Sequence, residues 1–181
     1  MNIKITSLCA ALLLAVLGGL NADEATKPKA GSPEFERMKS LVGTWSGKTD
    51  MGQGPVDMTI EYRLIAGGSV LEERCAPGTP HEMVSMYYDK AGKLAMTHYC
   101  ILGNRPEMAL KASDKKSITF DLDASCCTFD TKKESHMHGV VLTFDDADTI
   151  TSRCKAVIDG KDAPEHASTF KRVKGETAAT K

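Results

Sequence analysis

The chain is poor in aromatic residues (6%), has a single tryptophan in 181 residues, and carries no excess of either charge: 23 Lys and Arg stand against 24 Asp and Glu. Without a basic block there is no electrostatic footprint for nucleic acid; Lys115-Lys116 and Lys132-Lys133 are isolated pairs of the kind found in solvated turns. Ser69, Ser85 and Ser117 lack the Gly-x-Ser-x-Gly surroundings of a nucleophile elbow, so serine-hydrolase chemistry has no support. No Cys-x-x-Cys occurs, which removes a thioredoxin-like redox role. After the N-terminal region no helical stretch is long enough to serve as a crossover, which excludes a parallel sheet.

One long apolar run is present, Leu8 to Leu20, 13 residues. It is short for a bilayer, which takes about 20. With Lys4 before it and Leu20-Asn21-Ala22 after it, the run predicts a cleaved signal peptide over residues 1–22 and export to a bacterial periplasm or beyond. Cys9 lies at the front of the run, the wrong place for a lipid anchor. No second apolar run follows, so stable membrane insertion is not expected after cleavage. Residues 23–32, rich in Lys, Ala, Pro and Gly, read as a disordered leader, and 175–181 as a frayed tail. Residues 33–174 are left as one domain.

Ser32-Pro33-Glu34 is a helix start, with Ser32 as cap and Pro33 at the first helical position. The short helix to Ser40 places Phe35, Met38 and Leu41 on one face. From Thr44 the apolar period becomes two: Met58, Ile60, Tyr62 and Leu64 alternate with Thr59, Glu61 and Arg63. Turn signals such as Ala66-Gly67-Gly68-Ser69, Asp89-Lys90-Ala91-Gly92 and Asp145-Asp146-Ala147-Asp148 separate about ten such segments. The fold class is all-β, and ten short antiparallel strands favour an up-and-down barrel, because closure removes exposed edges.

The motif Leu41-Val42-Gly43-Thr44-Trp45 resembles the Gly-x-Trp entry to strand one of lipocalin-like (calycin) barrels. From Phe35 to Val173 the chain is similar to a bacterial lipocalin-like family. Gly78-Thr79-Pro80-His81-Glu82-Met83, Thr97-His98-Tyr99-Cys100, Gly103-Asn104-x-Pro106-x-Met108, His136-Met137-His138, Leu142-Thr143-Phe144 and Asp146-Ala147-Asp148 carry that similarity. The resemblance implies a hollow barrel closed at one end by Trp45, and no particular reaction. A more distant similarity, to nitrobindin-like barrels, implies haem with His166 as the candidate axial ligand. The chain departs from the family at Thr151-Ser152-Arg153-Cys154-Lys155, where a Trp-rich apolar strand is expected.

Two alternate-residue pairs could carry chemistry. His98 with Cys100, and His136 with His138, continue the apolar phases of their strands and are expected to face inward. Imidazole and thiolate at that spacing suit Zn or Cu, or contact with a ligand. His81-Glu82 falls on a rim loop, where a His and a carboxylate could act as acid and base, although neighbours on an extended chain point apart. Arg105, in a turn, could meet an anionic head group. Five cysteines follow residue 22: Cys75, Cys100, Cys126, Cys127 and Cys154. The odd count leaves one free, and a bridge from Cys75 or Cys154 to the Cys126-Cys127 loop is expected, with Cys100 unpaired inside.

The sequence therefore predicts an exported binding protein for a small, mostly apolar molecule, and assigns no catalytic residue. Trp45 and Tyr62 would line the barrel, and His81, His98, Cys100, Arg105, His136 and His138 would supply polar contacts. The alternatives are a metal or haem barrel and an interaction module with a filled barrel.

Overall fold

A computed structural model describes residues 30–50 and 54–175. The expected signal peptide, most of the leader and most of the tail lie outside the described residues. Among the described residues there are eleven strands: β1 (Gly43–Asp50), β2 (Pro55–Ile65), β3 (Val70–Cys75), β4 (Met83–Lys90), β5 (Lys93–Tyr99), β6 (Glu107–Ser113), β7 (Ser117–Leu122), β8 (His136–Phe144), β9 (Thr149–Ile158), β10 (Lys161–Asp162) and β11 (His166–Arg172). Each of β1 to β9 pairs antiparallel with the next, and β11 bridges β9 and β1, closing a ten-stranded barrel. β10 is a two-residue extra strand on β9. It is separated from β11 by Ala163-Pro164-Glu165, where Pro164 has no N–H to give to the ladder.

The two ends differ. One is plugged by α1 (Pro33–Met38) and the 3₁₀ turn Lys39–Leu41. Ser32 caps the helix by accepting from the Phe35 N–H, and its own N–H and hydroxyl donate to Asp89 on β4, at 2.5 and 2.7 Å. Phe35, Met38 and Leu41 are buried in the core as their spacing predicts. Trp45 donates from Nε1 to the Leu41 carbonyl (2.7 Å), and the Arg172 guanidinium lies 4.2 Å above its ring. Arg172 also donates to the carbonyls of Val42 and Ser40, both at 2.7 Å, so one side chain fastens the last strand to the plug. Gly43 enters β1 with φ +126°, a conformation that disfavours any side chain.

At this end the strands are joined by short turns. At the other end the connections are longer: 76–82, 100–106, 123–135 and 159–165. Long loops at one mouth of a rigid barrel are where binding is ordinarily built.

Candidate functional site

Between the plug and the long loops lies a cavity of about 290 Å³. Met58, Ile60, Met96, Phe120, Leu142 and Ile150 give it apolar walls. They are there because period-two alternation sends every second residue inward. At the mouth, Ile101, Leu102 and Ile158 line the opening while remaining 49%, 56% and 48% exposed.

One wall is polar, and its centre is Glu73. The carboxylate is 9% exposed and sits on β3 between inward-facing Leu71 and Cys75. Tyr62 and Tyr87 donate to Oε2 at 2.7 and 2.8 Å; Ser85 and Cys75 approach Oε1 at 3.3 Å. These four donors complement a carboxylate, which only accepts. Ser85 Oγ is also 3.0 Å from His98 Nδ1.

Burial, reinforced by the Glu73 charge, holds the Tyr62 and Tyr87 hydroxyls well above the ordinary tyrosine range. Burial first and Glu73 second push the Cys75 thiol up, and burial does the same to Cys154. Both are thus thiols at neutral pH and poor nucleophiles. Burial lowers His98 below the usual 6.5, with Glu73 opposing, so its imidazole is neutral at pH 7.

A pH dependence follows. Below about pH 6.5 the unfolded state binds a proton that folded His98 refuses, so stability falls as pH drops from that value through the folded pKa. Denaturant unfolding at pH 7.5 and pH 5.5 is expected to show His98→Leu losing less stability on acidification than the wild type. The difference has a ceiling of about 1.4 kcal/mol per pH unit. Equal losses in the two proteins would contradict the assignment.

Of the eight residues expected to contact a ligand, Tyr62, His98, Cys100 and His136 line the cavity, as does His166, the candidate haem ligand. The other four do not. Trp45 is buried at the plugged end and lies outside the lining. His81 is exposed on the 76–82 loop, where Glu82 turns away from it to accept from Arg74 (2.5 Å) and the Gly78 N–H (2.6 Å). His81 and Glu82 thus form no acid–base pair, in keeping with neighbours on an extended chain pointing apart. Arg105 edges a separate surface recess with Asn104, Phe129 and Glu134. His138 is exposed because β8 is bulged: Met137 and Gly139 face consecutive residues of β9, Ala156 and Lys155. The extra residue breaks the alternation that was to bring His136 and His138 inward together.

Among the described residues no group of three or more His, Cys, Asp and Glu side chains is placed to hold a metal ion. The proposed set His98, Cys100, His136 and His138 is thus not assembled. His136 Nδ1 is 2.6 Å from the Glu134 carbonyl, so it donates there, and Nε2 accepts from His138 Nδ1 at 3.3 Å. The expected disulfide is absent as well. All five described cysteines are free: Cys75 and Cys154 face the cavity, whereas Cys126 and Cys127 sit on the 123–135 loop outside it.

Glu73, Ser85 and Tyr87 were not anticipated. The signal lay in the alternation: with Arg74 outward, Glu73 has to face in.

No family model matches the chain, and no curated protein matches it. Among solved structures it is similar to a redesigned β-barrel (10% identity, TM-score 0.36, covering 75% of this chain and 94% of that one). It is also similar to a de novo designed fluorescence-activating β-barrel (14% identity, TM-score 0.35, 75% and 95% covered). Neither likeness speaks to what this chain binds. What stands is the closed ten-stranded barrel; a lipocalin-like family is not shown by these comparisons.

Proposed function

We propose that the chain is an exported, lipocalin-like barrel that binds a small, mostly apolar molecule in its interior. The observation that carries this reading is the cavity itself: about 290 Å³ of apolar-walled space, plugged at one end and rimmed by apolar side chains at the other. That volume is at the small end of ligand pockets, about 300–1,000 Å³. A filled barrel acting only through its loops would have no such space. The run Leu8 to Leu20 with Ala22 supports export.

The reading is of binding without turnover. Both buried tyrosine hydroxyls already donate to Glu73, so neither is free to stabilise developing negative charge on a substrate. Native mass spectrometry of protein isolated from its own host without denaturation tests the proposal. The expected spectrum shows a neutral organic mass bound one to one and released on unfolding. A bare polypeptide mass, together with no uptake of added neutral naphthalenes, would overturn it.

A further inference from the structure

The polar wall also constrains what the occupant is. A serine hydroxyl has one proton. Ser85 Oγ lies between a carboxylate oxygen, Glu73 Oε1 at 3.3 Å, and an imidazole nitrogen, His98 Nδ1 at 3.0 Å. Donation to a carboxylate is charge-assisted and the stronger choice. Ser85 then has only lone pairs for His98, so Nδ1 carries the hydrogen and Nε2 the lone pair. His98 is 2% exposed and lines the cavity, and its Nε2 has no hydrogen-bond partner among the described residues. The other deeply buried histidine, His136, spends both nitrogens on Glu134 and His138.

The cavity is also biased by charge. Glu73 places a negative charge behind its wall. Among the described lining residues the one lysine, Lys155, is half exposed and paired with Glu165 at 3.6 Å, and His166 from β11 also lines the cavity. A second carboxylate drawn inside would lose its hydration and meet Glu73 without a buried partner.

We infer that the natural occupant is an uncharged molecule with an apolar body and one hydrogen-bond donor, such as a hydroxyl, given to His98 Nε2. This rests on the reading of the barrel as a binding site. It separates alcohols and phenols from hydrocarbons, which leave Nε2 unmet, and from fatty-acid-like anions, which the wall repels.

Three probes of one shape test it by calorimetry at pH 7.5: 2-naphthol, 2-methylnaphthalene and 2-naphthoate. Naphthol is expected to bind about two- to tenfold more tightly than methylnaphthalene, the range of one net hydrogen bond. Naphthoate is expected to bind at least about a hundredfold more weakly than naphthol. In His98→Leu the naphthol preference disappears while methylnaphthalene still binds. Ser85→Ala, which keeps the imidazole but frees its tautomer, narrows the ratio of naphthol to methylnaphthalene affinity, and stands in if the first variant does not fold. Equal binding of naphthol and methylnaphthalene, or tight naphthoate binding, would overturn the donor inference and leave the binding reading intact. Failure of all three to bind would overturn both.

Discussion

Replacing Trp45 by alanine is expected to cost about 4 kcal/mol of stability, the range for removing a large buried aromatic. The residue is 1% exposed and its loss acts in three places. It leaves a void under the plug. It leaves the Leu41 carbonyl without the indole N–H that now lies 2.7 Å away. It takes the aromatic face from beneath the Arg172 guanidinium, whose hydrogen bonds hold Ser40 and Val42. At this domain size the melting temperature should fall by about 10 °C. Thermal and urea unfolding check it. Trp45→Phe, which keeps an aromatic face but no N–H, should lie between. A change under about 1 kcal/mol would mean that the plug contributes little to the barrel's stability.

Removing the Glu73 carboxylate is expected to cost nearly as much, for a different reason. Glu73→Leu strands the Tyr62 and Tyr87 hydroxyls in a buried wall, and each unmet buried donor costs about 1–3 kcal/mol. A loss of about 3 kcal/mol is expected. The triple variant Tyr62→Phe, Glu73→Leu, Tyr87→Phe removes acceptor and donors together and should recover most of that, since a buried polar cluster exchanged whole for apolar side chains is often nearly neutral. Urea unfolding of the three single variants and the triple gives the coupling. If the triple were the sum of its parts, the hydrogen bonds at 2.7 and 2.8 Å would not be the source of the effect.

Both effects come from residues whose places were unequally legible in the sequence. The helix cap at Ser32, the face of Phe35, Met38 and Leu41, and the strand set follow from local rules, and they stand. Alternation also brought Tyr62 and His98 to the correct side, because β2 and β5 pair in regular register. It could not do the same for His138, because a bulge is a property of two strands: the extra residue is defined only against β9. Nor does alternation give depth along the barrel axis. Trp45 points inward but lies below the cavity, against the plug.

Glu73 was hidden by its charge. A glutamate in a strand ordinarily marks the solvent face, yet here the phase of Leu71 and Cys75 prevails and the wall supplies the donors. The cysteines teach the same lesson. Counting them suggested a bridge from strand to loop, whereas strand phase alone puts Cys75 and Cys154 on the inner face and out of reach of Cys126 and Cys127. His81 and Arg105 lie at the open end as expected, but the direction of a loop side chain is set by contacts such as Arg74 with Glu82, which no local pattern encodes.

If the ligand binds inside the barrel, filling the barrel should displace it. Cys154 lines the cavity from β9, and Cys154→Phe would place a ring in the space a ligand needs. Calorimetric titration of 2-naphthol into the wild type and this variant, with circular dichroism to verify the fold, is the decisive measurement. One molecule should bind per wild-type barrel, with a loss of affinity of at least about tenfold, 1.4 kcal/mol, in a variant that remains folded. Equal affinity in the two proteins would place the ligand outside the barrel.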